Sequence, residues 1–409
     1  MARRGSLKLL LMCSRKNVLH VLALAASCVT FADSVAQQNT PSDDASDKSG
    51  PPSTFAQVVN QYFSQWDSNG DGTLSKDEIE AAVANPKFRD EAAAAIAAIE
   101  KVVRGNKYTL PPITRDYLVS SPLREPSTPD EQTDSADDVS KPENFDHAPA
   151  FQPRYLNAIR KLRHTSRDLF PQDLPSFDAT HQGALGDCPF ASTVGAMVYR
   201  DPSAVKAMFT QNDNGSITVS FGDGHSIKIA HLTDADIAIW SSAGTNGLWL
   251  TVLEKAYRRI LLRTQRPNRQ DNSDIYEKFN SAHTIEILDG HQTRKVELHN
   301  IRPGTPQLAA LRKDLNAAQR EHRLVKAGTP AGKKTPGITP GHAYAILGYD
   351  KETDLVRVWN PHGNNFTPKG PDGLQNGYTT KSGQFDIPLR DLLHIFRDVT
   401  FETQALNRQ

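Results

Sequence analysis

The sequence predicts an α+β domain of about 250 residues behind a small all-α module, and three observations carry that reading. Two stretches rich in Ser, Pro, Asp and Glu, residues 37–54 and 119–150, have no apolar period and read as linkers. Between them, residues 55–118 alternate helical segments with one Gly-containing turn. From residue 151 to residue 403, helical spacing comes first and strand-like runs come after it.

In chain order, Phe55, Val58, Val59, Tyr62 and Phe63 share one helical face, and Ile79, Ala82 and Val83 share the next. The Ala-rich run from Glu91 to Val103 consists of strong helix formers. Ala191 to Tyr199 reads as a buried helix, and Trp249, Val252, Leu253, Ala256 and Ile260 recur at helical spacing. Leu308, Leu311 and Leu315 place a further helix over Pro306 to Arg320. Val219 to Phe221, Ala343 to Leu347 and Leu355 to Trp359 read as strands, and no internal repeat is present.

Charge and composition exclude several classes. Lys+Arg and Asp+Glu both number 47, so nothing global points to nucleic acid, and 38% hydrophobic residues with mean hydropathy −0.52 describe a soluble chain. No apolar run has the length of an ordinary spanning helix, which excludes a multipass membrane protein. Residues 1–36 have the layout of a signal peptide: Arg3, Arg4, Lys8, Arg15 and Lys16 precede the mostly apolar Val18 to Ala32. Small-residue cleavage sites lie before Asp33 and before Gln37, and the second adjoins a polar tract. An uncleaved anchor and a lipoprotein signal ending at Cys28 are the alternatives. Cleavage leaves 42 basic against 46 acidic residues, no integral membrane span, and a secreted or cell-envelope protein. Of Cys13, Cys28 and Cys188 only the last remains, so no internal disulfide can form and the cores must hold the domains.

The run from Asp67 to Glu78 fills every slot of an EF-hand loop. Asp67, Asn69 and Asp71 converge on one hard cation, Thr73 offers its carbonyl, Ser75 acts through water, and Glu78 closes the shell bidentately. Gly72 supplies the sharp turn. The bland reading, an acidic hydrophilic turn, rarely fills all six ligand slots together with the glycine. One calcium ion is expected. A second loop, with Tyr108-Thr109-Leu110 aligned beside Gly72-Thr73-Leu74, would put Val103, Gly105 and Lys107 in the first three ligand slots. None supplies a side-chain oxygen. The acidic segment 119–150 is expected to let this module move independently of the larger domain.

Cys188 comes after a Gly-containing turn and opens the helix of residues 191–199, where the dipole and free N–H groups favour thiolate. Pro189 suits a first helical turn. His342 stands at the start of one strand and Asn360 at the end of another, giving Cys, His and Asn in chain order. Taken singly, each has an ordinary explanation: a buried small residue, a strand-edge histidine, a turn former before Pro361.

The blocks QGALGDC, LWLTVLEKAYRRI, PGHAYAILGYD and VRVWNPHG resemble, in order and rough spacing, the catalytic core of the calpain-type cysteine proteases, and SGQFDIPLRDLLHIF resembles the stretch that ends it. The resemblance implies a papain-like core over residues 151–403, with a helical subdomain over about 151–290 and a sheet-rich subdomain over about 291–403. It implies Cys188 as nucleophile, His342 as base and acid, Asn360 as the group orienting His342, and Gln182 as the oxyanion donor. Peptide or protein is then the substrate. Family cores carry Trp after the nucleophile and after Asn-Pro; here Pro189 and His362 stand there, so part of the aromatic wall over Asn360 is expected to be missing. The single EF-hand precedes the core, and the chain shows no separate C2-like domain.

Three rival functions use the same residues: a catalytically silent calpain-like protein that binds peptides, a calcium-dependent surface adhesion or assembly module, and a transglutaminase-like acyl transferase.

Overall fold

The structure, a computed structural model, describes residues 52–105, 108–123, 149–183, 186–265, 281–332 and 335–403. The expected signal peptide with Cys13 and Cys28, and most of both expected linkers, lie outside the described residues.

Four helices come first: α1 (Phe55–Trp66), α2 (Lys76–Ala84), α3 (Asp90–Arg104) and α4 (Arg115–Val119). Thr54 and Gln57 form a capping box at α1, and Ser75 and Glu78 form one at α2, so orphan N–H groups are satisfied by the residues that also define the loop between these helices. Residues 67–75 pair with the segment before α4: Thr73 bridges Thr114, and Leu74 N–H donates to Ile113 O at 2.9 Å. The segment paired with the loop is therefore residues 113–114 and not Tyr108 to Leu110, the alignment a second loop would need. Ile113 is the apolar residue that can sit buried opposite buried Leu74, and Thr114 is needed as N-cap of α4.

Ala92 to Ile99 of α3 are buried all round. The next helix, α5 (Phe151–His164), explains why, because α3 is wedged between α1 and α2 on one side and α5 and a core helix on the other. Alanines let these backbones approach closely. Phe55 stacks on Phe151 with ring centroids 5.2 Å apart, and both rings belong to the cluster that holds Tyr155, Ile159 and Leu162. The expectation of an independently moving module is thus overturned: the described residues belong to one compact unit whose first core is shared by the module and the rest.

Next come α6 (Cys188–Arg200), α7 (Pro202–Ala207), and an antiparallel three-stranded sheet of β1 (Phe209–Gln211), β2 (Ile217–Ser220) and β3 (Ser226–Ile229). The sequence pattern shows only the middle of that sheet, because its strands are three or four residues long. After it stand α8 (Asp234–Ile239), the core helix that flanks α3, then α9 (Trp249–Gln265) and α10 (Ser281–Asp289). Thr233 Oγ donates to Val83 O at 2.7 Å and Asp234 accepts from Asp90 N–H at 2.9 Å, tying α8 to α2 and α3.

The remainder is a six-stranded sheet flanked by two helices: β4 (Thr293–Glu297), α11 (Pro306–Glu321), β5 (Val325–Gly328), β6 (Ala343–Asp350), β7 (Leu355–Trp359), β8 (Gln384–Pro388), α12 (Leu389–Ile395) and β9 (Asp398–Glu402). Its order is β4-β9-β5-β6-β7-β8, antiparallel throughout. α6 lies against β5 and β6, and its Gly195 sits under the indole of Trp359 at the end of β7. A β-carbon at Gly195 would come within 2.1 Å of that ring, so only glycine permits this approach of helix to strand.

Because the first core is shared, a chain beginning at residue 149 should expose the apolar face of α5 and α8 and lose cooperative folding. Thermal unfolding tracked by near-UV circular dichroism checks this; a sharp transition at the full-length midpoint would contradict it.

Candidate active site

Cys188 is the first residue of α6, with Asp187 in the N-cap position and Pro189 next, the arrangement a helix start accepts because first-turn N–H groups have no intrahelical acceptor. The thiol is buried, and its Sγ accepts the N–H of Ala343 at 3.4 Å. Ala343 comes directly after His342, so the contact brings the thiol to the start of β6. The backbone of His342 is pinned in turn: its N–H donates to Thr329 Oγ at 2.9 Å, and its carbonyl accepts from Thr329 N–H at 2.9 Å.

His342 Nε2 lies 2.8 Å from Asn360 Oδ1. That oxygen also accepts the backbone N–H of His362 at 3.1 Å, an obligate donor, which fixes the amide orientation. Nε2 must therefore carry the hydrogen, and Nδ1 is the basic nitrogen of the neutral ring. Asn360 Nδ2 donates to Asn364 Oδ1 at 2.9 Å, and Asn360 N–H to Gly383 O at 2.8 Å, so the side-chain amide is fixed on both its atoms and the backbone beneath it is held. His342 and Asn360 are both almost fully buried.

The ring of His362 stacks on His342 with centroids 4.4 Å apart and planes 20° from parallel. His362, the residue after Asn-Pro, thus lays a small aromatic ring flat on His342. Tyr344 meets the same histidine edge-on at 5.0 Å.

Gln182 N–H donates to Pro361 O at 2.9 Å, which hangs the residue beside Asn360. Its side-chain Nε2 and Oε1 are both buried with no hydrogen-bond partner among the described residues. A buried amide left unsatisfied is costly, and it is the state expected of a donor whose acceptor arrives with a ligand. Gly183 supports it from behind: its N–H donates to Ser241 Oγ at 2.8 Å, and a β-carbon there would meet the Ser241 backbone at 2.9 Å. Ser241 is itself anchored, its N–H on Glu254 and its carbonyl accepting from Thr251 Oγ at 2.7 Å.

Three residues escape sequence reasoning here. Ser241 and Thr329 carry no local signal. Lys326 does: it stands in β5, whose four residues are all buried, where an apolar run is the rule. Its Nζ donates to Pro189 O at 2.6 Å, and burial pushes its ammonium down to about 7, against the opposing pull of Cys188 and Asp398.

The other expected ligand set lies between α1 and α2. Asp67 accepts from Gly70 N–H and Gly72 N–H, each at 2.9 Å; Asn69 accepts from Asp71 N–H, and Asp71 from Thr73 N–H, each at 2.8 Å. Ser75 caps α2, with its hydroxyl donating to Glu78 at 2.8 Å. Glu78 also accepts from Ser75, Ser68 and Asn69 N–H groups, and these bonds, Ser75 foremost, hold its carboxyl down at about 2. No Lys, Arg or His pairs with Asp67, Asp71 or Glu78 among the described residues.

Residues 158–373, more than half of the chain, match the calpain family cysteine protease profile, and the chain belongs to that family. It is 28% identical over 222 residues to the calpain-type cysteine protease DEK1 of Zea mays, a match covering 50% of this chain and 10% of that protein. It is 27% identical over 219 residues to the calpain-type cysteine protease ADL1 of Oryza sativa subsp. japonica, covering 50% of this chain and 10% of the relative. With Calpain clp-1 of Caenorhabditis elegans it shares 23% over 210 residues, covering 46% and 25%. The chain thus spans a quarter or less of the length of these curated relatives. Among the described residues, no helix is long and apolar enough to cross a membrane.

The depressed Glu78 carboxyl contributes stability that is present above its ordinary value of 4.5 and is lost as pH falls through about 2. Glu78→Gln should therefore lower the thermal midpoint at neutral pH and flatten its decline between those two values. Melting curves of both proteins across that range, without metal, check the sign; identical slopes would contradict it.

Proposed function

We propose that this chain is an exported cysteine endopeptidase in which Cys188 attacks the substrate carbonyl, His342 moves the proton and Asn360 orients His342. The observation that carries the reading is the single bonded chain from Asn360 Oδ1 to His342 Nε2, with Cys188 Sγ held on the N–H of the next residue. With Nε2 committed to Asn360, proton exchange with the thiol falls to Nδ1. Nδ1 takes the thiol proton, the thiolate sulfur adds to the amide carbon, and the tetrahedral intermediate expels the amine, which leaves with the proton from Nδ1. Water then attacks the thioester, His342 taking its proton and the Cys188 sulfur leaving. Gln182 donates to the oxyanion through Nε2, a role supported by that atom being buried without a hydrogen-bond partner among the described residues. Peptide is the substrate class because the family is proteolytic.

Calcium is the ion the loop of residues 67–78 fits, as an EF-hand. All its donors are oxygens, Asp67 and Glu78 are buried anions, and neither has a cationic side chain beside it among the described residues. Asp67, Asn69, Asp71, the Thr73 carbonyl and Glu78 would hold it, with Ser75 reaching it through water; bound there, calcium supplies neutralising charge. It takes no part in the chemistry. The basic, apolar leader of residues 1–36 supports export to the envelope or medium.

Digestion of unfolded casein tests the assignment. Cys188→Ala and His342→Ala should abolish turnover while keeping the fold, whereas Asn360→Ala retains weak activity because Asn360 transfers no proton. Gln182→Ala should lower kcat by roughly 10²–10³-fold. Full activity in folded Cys188→Ala would end the reading. Added calcium should raise the melting midpoint of the whole chain, not of a separate first transition, since the module shares its core with α5 and α8. Two transitions of which only one responds would contradict that coupling.

A further inference from the structure

Lys326 is a charged group at the site to which the proposed chemistry gives no part. In register it pairs with Ala345 on β6 and Thr400 on β9, so the three share one face of the sheet. Ala345 belongs to the core formed with α6, whereas Val325 and Ala327 belong to the core on the opposite side. The lysine thus points its whole length at the first turn of α6, where it is 1% exposed and its Nζ reaches Pro189 O, the carbonyl one residue beyond Cys188.

That carbonyl does not need a lysine. Thr193 Oγ already donates to it at 2.7 Å and Ser192 Oγ at 3.3 Å. Burying an ammonium is expensive, and an apolar side chain of equal volume would be no less stable there. A buried cation retained at such cost calls for a buried anion. Asp398, the carboxylate acting on it, is already shared between Arg397 at 2.7 Å and Lys295 at 3.1 Å. From α6 the acting group is Cys188, while Asp187 acts on Lys161 and Tyr257; on β6, Tyr344 feels both His342 and Cys188. Of the two anions acting on Lys326, Asp398 thus has other cations beside it, which leaves the Cys188 thiolate as the one this lysine serves from within the core.

We propose that Lys326 is a positioning residue for the nucleophile: its ammonium, fixed under the first turn of α6, stabilises Cys188 as thiolate and holds the Pro189 carbonyl in place. The helix dipole and Ala343 N–H favour the same ionisation, and the lysine adds a full charge from the side away from solvent. The effect is reciprocal: thiolate formation keeps Lys326 protonated although burial works against it. The inference rests on Cys188 being the nucleophile, which casein digestion by Cys188→Ala tests separately.

The test is the pH dependence of Cys188 alkylation by iodoacetamide in the full chain, read by peptide mapping so that Cys13 and Cys28 do not interfere. Lys326→Met removes the charge at similar volume. Lys326→Gln keeps a donor for Pro189 without charge, and Lys326→Arg keeps the charge. Both neutral variants should shift the alkylation midpoint to higher pH by about one unit, a roughly tenfold slower reaction at pH 6, with Lys326→Arg close to wild type. A buried Lys whose folded value lies below its unfolded one costs stability at neutral pH, so Lys326→Met should melt no lower than wild type. A merely structural lysine would give the reverse, lower melting with an unchanged midpoint. A wild-type midpoint in either folded neutral variant would overturn the proposal.

Discussion

The approach of α6 to β7 is the constraint on which the site depends. Gly195 lies under the indole of Trp359, which also meets Phe177 at 4.9 Å, so the helix that begins with Cys188 sits at a distance from the sheet that a single methyl group would change. Asn360 comes directly after Trp359, and Pro361 holds the backbone of Gln182. Three of the four proposed catalytic residues therefore take their positions from one strand end and one helix. His342 joins them through β6, the neighbour of β7, with Thr329 pinning its backbone.

Electrostatics at this junction are set by burial. Asp187, Cys188, Lys326, His342 and Asn360 are all nearly inaccessible. In such surroundings each charge or donor is worth more than in water, and each unpaired one costs more. A second lysine, half-buried Lys161 on α5, donates to Trp240 O and is pushed down to about 7 by desolvation and by Lys101 of α3, with Glu254 and Asp187 opposing. It stands where the module's helix, the core helix α8 and the segment behind Gln182 meet. Changes at α3 therefore have a short physical route to the site.

Much of this was legible in the sequence because the responsible patterns are local. The helix over Trp249–Gln265 is read from apolar spacing, and the start of α6 from a turn, a proline and a small-residue run. Cys188, His342 and Asn360 stand at element ends, where boundaries are readable. The pairing of Thr73 with Thr114 is not readable from the sequence, since two short segments offer several registers and only the burial of Ile113 opposite Leu74 selects one. The role of α3 was misjudged for a related reason: alanines signal helix, but not that both faces are covered. Ser241, Thr329 and the stacking of His362 on His342 arise from contacts between segments distant in the chain, which no local pattern records.

The central claim is that folding creates an activated thiolate–imidazolium pair at Cys188 and His342. Its most direct measurement is labelling of the full chain by an epoxysuccinyl peptide, then intact mass and peptide mapping, in native buffer and in guanidinium. The account predicts one adduct per native chain, on Cys188, and none at that residue in the unfolded chain. A folded protein whose Cys188 stays unmodified, or reacts no faster than when unfolded, would contradict it.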